Sequence, residues 1–275
     1  MKKYNPTTPS RRHYTAVTYK DFLEGEKRPL KKLTIRLKSP AGRNNQGRIT
    51  MRHQGGGNKR AYRLIDFKHN KIGVSGKLEG IEYDPYRTAF IARVCYADGE
   101  RRYILAPNGL KMGSTIITSA DAPLEVGNRT ALKRIPVGTF VFNIEIFPGR
   151  GGQIARSAGT SVQILAHDGG HTHLKMPSGE VRKVPWDGYA SIGQTSNWEH
   201  NLVVLGKAGR SRALGIRPTV RGSVMNPRDH KYGGGEGKTQ RGTKRPKDKW
   251  GNITGGRKTR KRKKWSNSMI VKRRK

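Results

Sequence analysis

The chain has 275 residues, with 57 Lys+Arg against 19 Asp+Glu and a formal net charge of +38. A solvated protein surface mixes both signs, so this threefold excess points to a polyanionic partner that neutralises it and releases counterions. No stretch approaches the ~18 apolar residues of a membrane span, no basic segment has the clean apolar face of an interfacial helix, and the single cysteine, Cys95, excludes an internal disulfide and a Cys-based zinc site.

The charge is uneven along the chain. Residues 1–60 carry 16 basic and 3 acidic side chains, residues 61–220 carry 21 and 13, and residues 221–275 carry 20 and 3. The ends are polycationic, and the middle has an ordinary globular balance. The opening Met1-Lys2-Lys3-Tyr4-Asn5-Pro6-Thr7-Thr8-Pro9 has neither a secretory apolar run nor the amphipathic helix of a transit segment, so the cytoplasm is the expected compartment, with an organelle-encoded copy as the alternative.

Residues 1–60 read as a basic extension. It ends in Gly55-Gly56-Gly57-Asn58-Lys59-Arg60, where glycine allows a backbone to approach a phosphate closely and its amides to donate. His53, Lys59 and Arg60 flank that cluster and are expected contacts.

From residue 61 the pattern becomes β. Phe90, Ala92, Val94 and Tyr96 alternate with Ile91, Arg93 and Cys95, and Asp98-Gly99 leads into Arg102-Tyr103-Ile104-Leu105, a hairpin signature. Other β-like runs are Ala61–Phe67, Gly76–Tyr83, Ser114–Thr118, Thr139–Phe147, Ser161–His167, His171–Met176, Glu180–Val184 and Ala190–Thr195. Turn residues separate them, as expected of small barrels or sandwiches. Leu124–Arg134 reads as a short helix or linker, which divides the region near Val126 into two barrels, 61–125 and 126–200.

Residues 201–275 read as a Gly-rich basic extension. Beyond residue 220 it has too little apolar surface to offset ordering entropy alone, and RNA is expected to order it. Gly233-Gly234-Gly235-Glu236-Gly237-Lys238 repeats the phosphate logic of the first glycine cluster. It is no P-loop, because Tyr232 stands where the first glycine belongs. Gly149-Arg150-Gly151-Gly152-Gln153-Ile154 likewise fails the dinucleotide pattern at Ile154. Arg257–Lys264 also resembles a nuclear-localisation tract, a likeness any RNA-binding tail shares.

His167, His171 and His173 surround a turn, but no cysteine or Glu-x-x-His pattern completes a metal site, so neither metal nor cofactor is expected. Asp229-His230 is the most enzyme-like pair, yet it lacks an adjacent nucleophile. Trp250 and Trp265 sit among cations, suited to stacking on an unpaired base or on a neighbouring surface.

Met51–Arg60, Glu82-Tyr83-Asp84-Pro85-Tyr86-Arg87, Ala158-Gly159-Thr160-Ser161, Leu214–Gly222 and Met225-Asn226-Pro227-Arg228-Asp229-His230 together resemble the bacterial form of large-subunit ribosomal protein two. The resemblance runs nearly end to end. It implies an all-β core, an OB-like barrel followed by an SH3-like barrel, with long irregular basic N- and C-terminal extensions. It implies binding to large-subunit (23S-type) rRNA near the peptidyl transferase centre, support of subunit association and a bridge to small-subunit (16S-type) rRNA, beside neighbouring ribosomal proteins.

Arg87 and Arg156 match RNA-binding arginines of that family. His230 matches a histidine once proposed to assist peptide-bond formation, although RNA forms the catalytic centre. Here Lys231 and Tyr232 replace the usual Pro and second His. Arg63, Arg217, Arg221, Lys238 and Arg241 complete the expected RNA-contact set. The competing readings are an RNA-acting enzyme with His230 as general base, and a DNA-compacting protein.

Overall fold

The computed structural model describes residues 1–26, 28–237 and 241–274. They form two compact units. The first comprises Met1–Lys38, Lys59–Lys207 and Ser268–Lys275, and the second Ser39–Asn58 and Ala208–Asn267. The fold is all-β, OB-like and then SH3-like; among the described residues α-helix is confined to Pro9–Arg12 and Ala208–Ala213.

In the first unit, β1 (Lys2–Lys3) pairs with β2 (Thr15–Ala16), and β3 (Thr34–Arg36) with β4 (Ala61–Arg63). The strands β5 (Ser75–Glu82), β6 (Ile91–Tyr96), β7 (Arg101–Leu105) and β8 (Thr115–Ile117) form an antiparallel sheet in the order β7-β6-β5-β8. The Asp98-Gly99 turn closes the β6–β7 hairpin as expected. Gly99 takes a φ of 81°, and its N–H donates to the Tyr96 carbonyl at 2.9 Å. Leu78, Phe90, Ala92, Val94, Ile104 and Ile116 pack into one core with Val17, which lies within the segment read as an extension.

The opposite face of β6 is covered as well. The Glu24 N–H and carbonyl pair with Ile81, and Arg93 is buried among Glu26 at 3.0 Å, Glu79 at 3.2 Å and Glu82 at 3.5 Å. Period-2 alternation places Arg93 opposite the apolar face, and these carboxylates let that position go dry.

Residues 124–134 form no α-helix. They supply β9 (Arg129–Ala131) and a 3-10 turn, Leu132–Arg134. After it come β10 (Phe140–Phe142), β11 (Ile144–Glu145), β12 (Gly152–Ile154), β13 (Val162–Asp168), β14 (His171–Lys175), β15 (Val181–Pro185), β16 (Tyr189–Ile192) and, far along the chain, β17 (Ile270–Lys272). Seven of them order as β17-β15-β14-β13-β10-β16-β9, and β11 pairs with β12. The run predicted over 139–147 is broken at Asn143, which takes a φ of 49°. Leu132, Val141, Ile144, Val162, Ile164, Leu174 and Val184 fill the second core.

One polar network is buried beside these cores. Arg129 is fully buried, pairs with Glu145 at 3.0 Å and donates to the Asn143 carbonyl at 2.6 Å. The Asn143 amide reaches His69 Nε2 at 3.3 Å. Burial, and then the positive charge of Arg129, holds the His69 imidazole down to about 3 from an ordinary 6.5. The neutral ring is therefore the folded form, whereas the unfolded chain takes up a proton near 6.5.

Stability from this group is complete above that value and is lost as pH falls toward 3. His69→Asn, which also suits the φ of 50° at this position, should flatten the dependence of unfolding free energy on pH between 6.5 and 4. Urea titrations at stepped pH measure that slope.

Candidate nucleic-acid interface

Two of the expected arginines share one aromatic ring in the first unit. The Arg87 guanidinium lies 5.6 Å from the Phe67 ring centroid, and the Arg156 guanidinium 4.6 Å from the same centroid. Arg87 is half-buried. It pairs with the buried carboxylate of Asp84, donates to the Tyr62 hydroxyl at 2.9 Å and stacks 5.0 Å from the Tyr62 centroid. Arg156 is exposed and donates to the Gly152 carbonyl at 3.3 Å.

A third arginine joins them through Tyr86, whose ring meets Tyr62 edge-on at 5.3 Å. Arg60 stacks 4.5 Å from the Tyr86 centroid and donates to the Pro85 carbonyl at 3.2 Å. The local chain explains the arrangement. Pro85 fixes a tight turn, and the Asp84 carboxylate accepts the Tyr86 N–H at 2.9 Å, so Tyr86 and Arg87 leave the turn in set directions. Lys59 is exposed beside Arg60. Arg63 is half-buried on β4 and donates to the Ala61 carbonyl at 3.1 Å.

The second unit holds His53, Arg217, Arg221, His230 and Arg241, while Lys238 lies outside the described residues. The glycine cluster pairs with the segment after the Ala208–Ala213 helix. Gly55 N–H donates to Gly215 and Asn58 N–H to Ala213, each at 2.9 Å, and Arg217 N–H donates to the His53 carbonyl at 3.0 Å. His53 and Arg217 thereby line one cavity of about 410 Å³ with Arg43, Ile49, Met51 and Arg52. Arg52 and Lys249 both lie over the Trp250 ring, at 5.5 and 4.7 Å, so this exposed indole already carries cations.

His230 Nδ1 accepts the Tyr232 N–H at 3.1 Å, and its ring lies 4.9 Å from the Tyr232 ring. Asp229 instead faces Arg228, at 3.9 Å. Arg241 lies 5.9 Å from the Tyr232 centroid, and Arg221 and Arg217 are exposed. The Tyr232 that departs from the usual family pattern is thus a ring platform for both a histidine and an arginine. In the first unit, His167 sits between the Ile135 carbonyl and the Thr172 hydroxyl, both at 2.9 Å, and His171 Nδ1 meets the Gly169 carbonyl at 3.0 Å.

Sequence reasoning passed over Tyr62, Phe67 and Tyr86, the rings that gather these cations. Tyr86 stood inside a quoted motif, and an aromatic beside an arginine was the available signal. Tyr62 and Phe67 gave none, because in a β-like run they read as core.

Guanidinium groups stacked on rings at the surface of a small all-β body suit an RNA-binding protein, since stacked arginines present N–H groups to phosphate and base alike. Comparison with known families agrees. Residues 30–118 match the RNA-binding N-terminal domain of Ribosomal Proteins L2, and residues 125–251 match the C-terminal domain of Ribosomal Proteins L2. The chain belongs to the ribosomal protein L2 family, structural RNA-binding constituents of the large ribosomal subunit.

The pairing of the glycine cluster depends on Gly57. Its φ is 90°, and an added Cβ would meet the Gly215 nitrogen at 2.9 Å and the Ala213 carbonyl at 3.0 Å. Gly57→Ala should cost about 1–3 kcal/mol locally. Hydrogen exchange at the Gly55 and Asn58 amides should then accelerate roughly tenfold or more.

Proposed function

We propose that the chain docks on large-subunit rRNA near the peptidyl transferase centre through its two barrels, 61–125 and 126–200. In this reading the extensions 1–60 and 201–275 enter between RNA helices and neutralise phosphates where a globular body does not fit. The contact set comprises Arg87, Arg156, His53, Lys59, Arg60, Arg63, Arg217, Arg221, His230, Lys238 and Arg241. The body so held supports subunit association, tRNA binding and peptide-bond formation, and it reaches small-subunit rRNA and neighbouring ribosomal proteins in a cytoplasmic ribosome.

The observation that carries this reading is the convergence of Arg87 and Arg156 on the Phe67 ring. Paired RNA hides its base edges in a deep, narrow groove, so a folded body recognises it by phosphates and shape, and a guanidinium fork suits that role. Arg156→Ala and Arg87→Ala should each weaken binding to a large-subunit rRNA fragment. Each lost phosphate contact should also reduce the slope of log K against log salt by about 1. Binding equal to the parent across the salt titration would remove both residues from the interface.

His230 enters as an RNA contact. Its Nδ1 is occupied by a backbone N–H, and the neighbouring Asp229 carboxylate faces Arg228, so Asp229 does not orient it as a base. Large subunits reconstituted with His230→Ala should form peptide bonds at close to the parental rate once assembled. A collapse of that rate in fully assembled particles would favour an enzymatic role.

A further inference from the structure

Two guanidinium groups that approach one ring carry like charges, and something must offset their repulsion. Phe67 is placed to do so. It is half-buried and packs against the small apolar cluster of Ala89, Leu105, Phe142 and Ala158. Its carbonyl accepts the Gly152 N–H at 2.8 Å. At Gly151, whose φ is 82°, an added Cβ would come within 2.9 Å of that same carbonyl.

The ring is therefore anchored by its own backbone to the segment that carries Arg156. Arg87 comes from the Asp84-Pro85-Tyr86 turn, between Phe67 and that segment in the chain. The negative faces of an aromatic ring attract cations, which compensates two arginines held near each other. The pair is also asymmetric. Arg87 has Asp84 as its own counter-ion, whereas Arg156 is exposed and hydrogen-bonds a neutral carbonyl.

We infer that Phe67 is a positioning residue that aligns Arg87 and Arg156 as a single phosphate-binding pair, with Arg87 the fixed member and Arg156 the outward one. The inference rests on the reading that these two arginines contact rRNA. It extends that reading by making them one coupled unit rather than two independent contacts.

The test uses the full chain and a large-subunit rRNA fragment. Phe67→Met keeps most of the volume without the ring, and Phe67→Tyr keeps the ring. Phe67→Met should weaken binding roughly tenfold, because two arginines no longer held by the ring must be ordered on binding, and Phe67→Tyr should bind nearly as the parent does. In the parental background Arg87→Ala and Arg156→Ala should be non-additive, and in Phe67→Met they should become additive.

Thermal unfolding is followed in parallel. A merely structural ring would lower the midpoint without altering the coupling. Phe67→Leu provides a second ringless side chain, judged by the same results, should Phe67→Met fold poorly. If the ringless variants bind as the parent does while both arginine variants bind weakly, the positioning role is overturned. If the arginine variants themselves bind as the parent does, the failure belongs to the RNA-contact reading.

Discussion

A guanidinium taken out of water must meet a carboxylate and further acceptors, or the fold around it fails. Arg129 meets that demand with Glu145 and the Asn143 carbonyl, and Arg93 meets it with Glu26, Glu79 and Glu82. Arg102 does the same at the surface edge with Asp66 and Glu100, each at 2.7 Å, and Arg87 with Asp84. The body of the protein thus directs its carboxylates to its own arginines. Its modest net charge between residues 61 and 220 is arranged so that the acids lie mostly inside pairs, and cations such as Arg60 and Arg156 stay exposed. A folded, locally neutral scaffold with an unopposed cationic exterior can bind RNA without unfolding itself by self-repulsion.

Much of the β architecture was legible in the sequence, because it depends on local chemistry. Asp98-Gly99 between two β-like runs gives the β6–β7 hairpin, and the runs at 161–167, 171–176 and 180–184 become β13, β14 and β15. What escaped was set by partners distant in the chain. Residues 124–134 became β9 because the Tyr189–Ile192 strand offers it an edge, and no local periodicity encodes that partner. Thr139–Phe147 read as one run, since a left-handed turn at Asn143 leaves little trace in hydropathy.

The candidate interface was legible in a different way. Charge and family motifs pointed to Arg87, Arg156 and the glycine clusters, but the rings that gather the cations did not announce themselves. Phe67 and Tyr62 look like core residues in a linear reading. Only the fold shows that each is a half-buried surface on which an arginine rests. The glycine cluster that reads as a phosphate-approach segment likewise contains specific pairings, such as Gly55 with Gly215, which a composition argument cannot supply.

The strand at Ile270–Lys272 has one more implication, for timing. It pairs with Val181 and Arg182, about ninety residues earlier in the chain. During synthesis, β15 keeps an open edge until residues 270–272 have been made and can reach it. An exposed strand edge invites pairing with other chains, and closing so long a loop is entropically slow. Completion of this sheet therefore waits on a contact between distant parts of the chain, and the β15 edge stays open to other pairings in the interval.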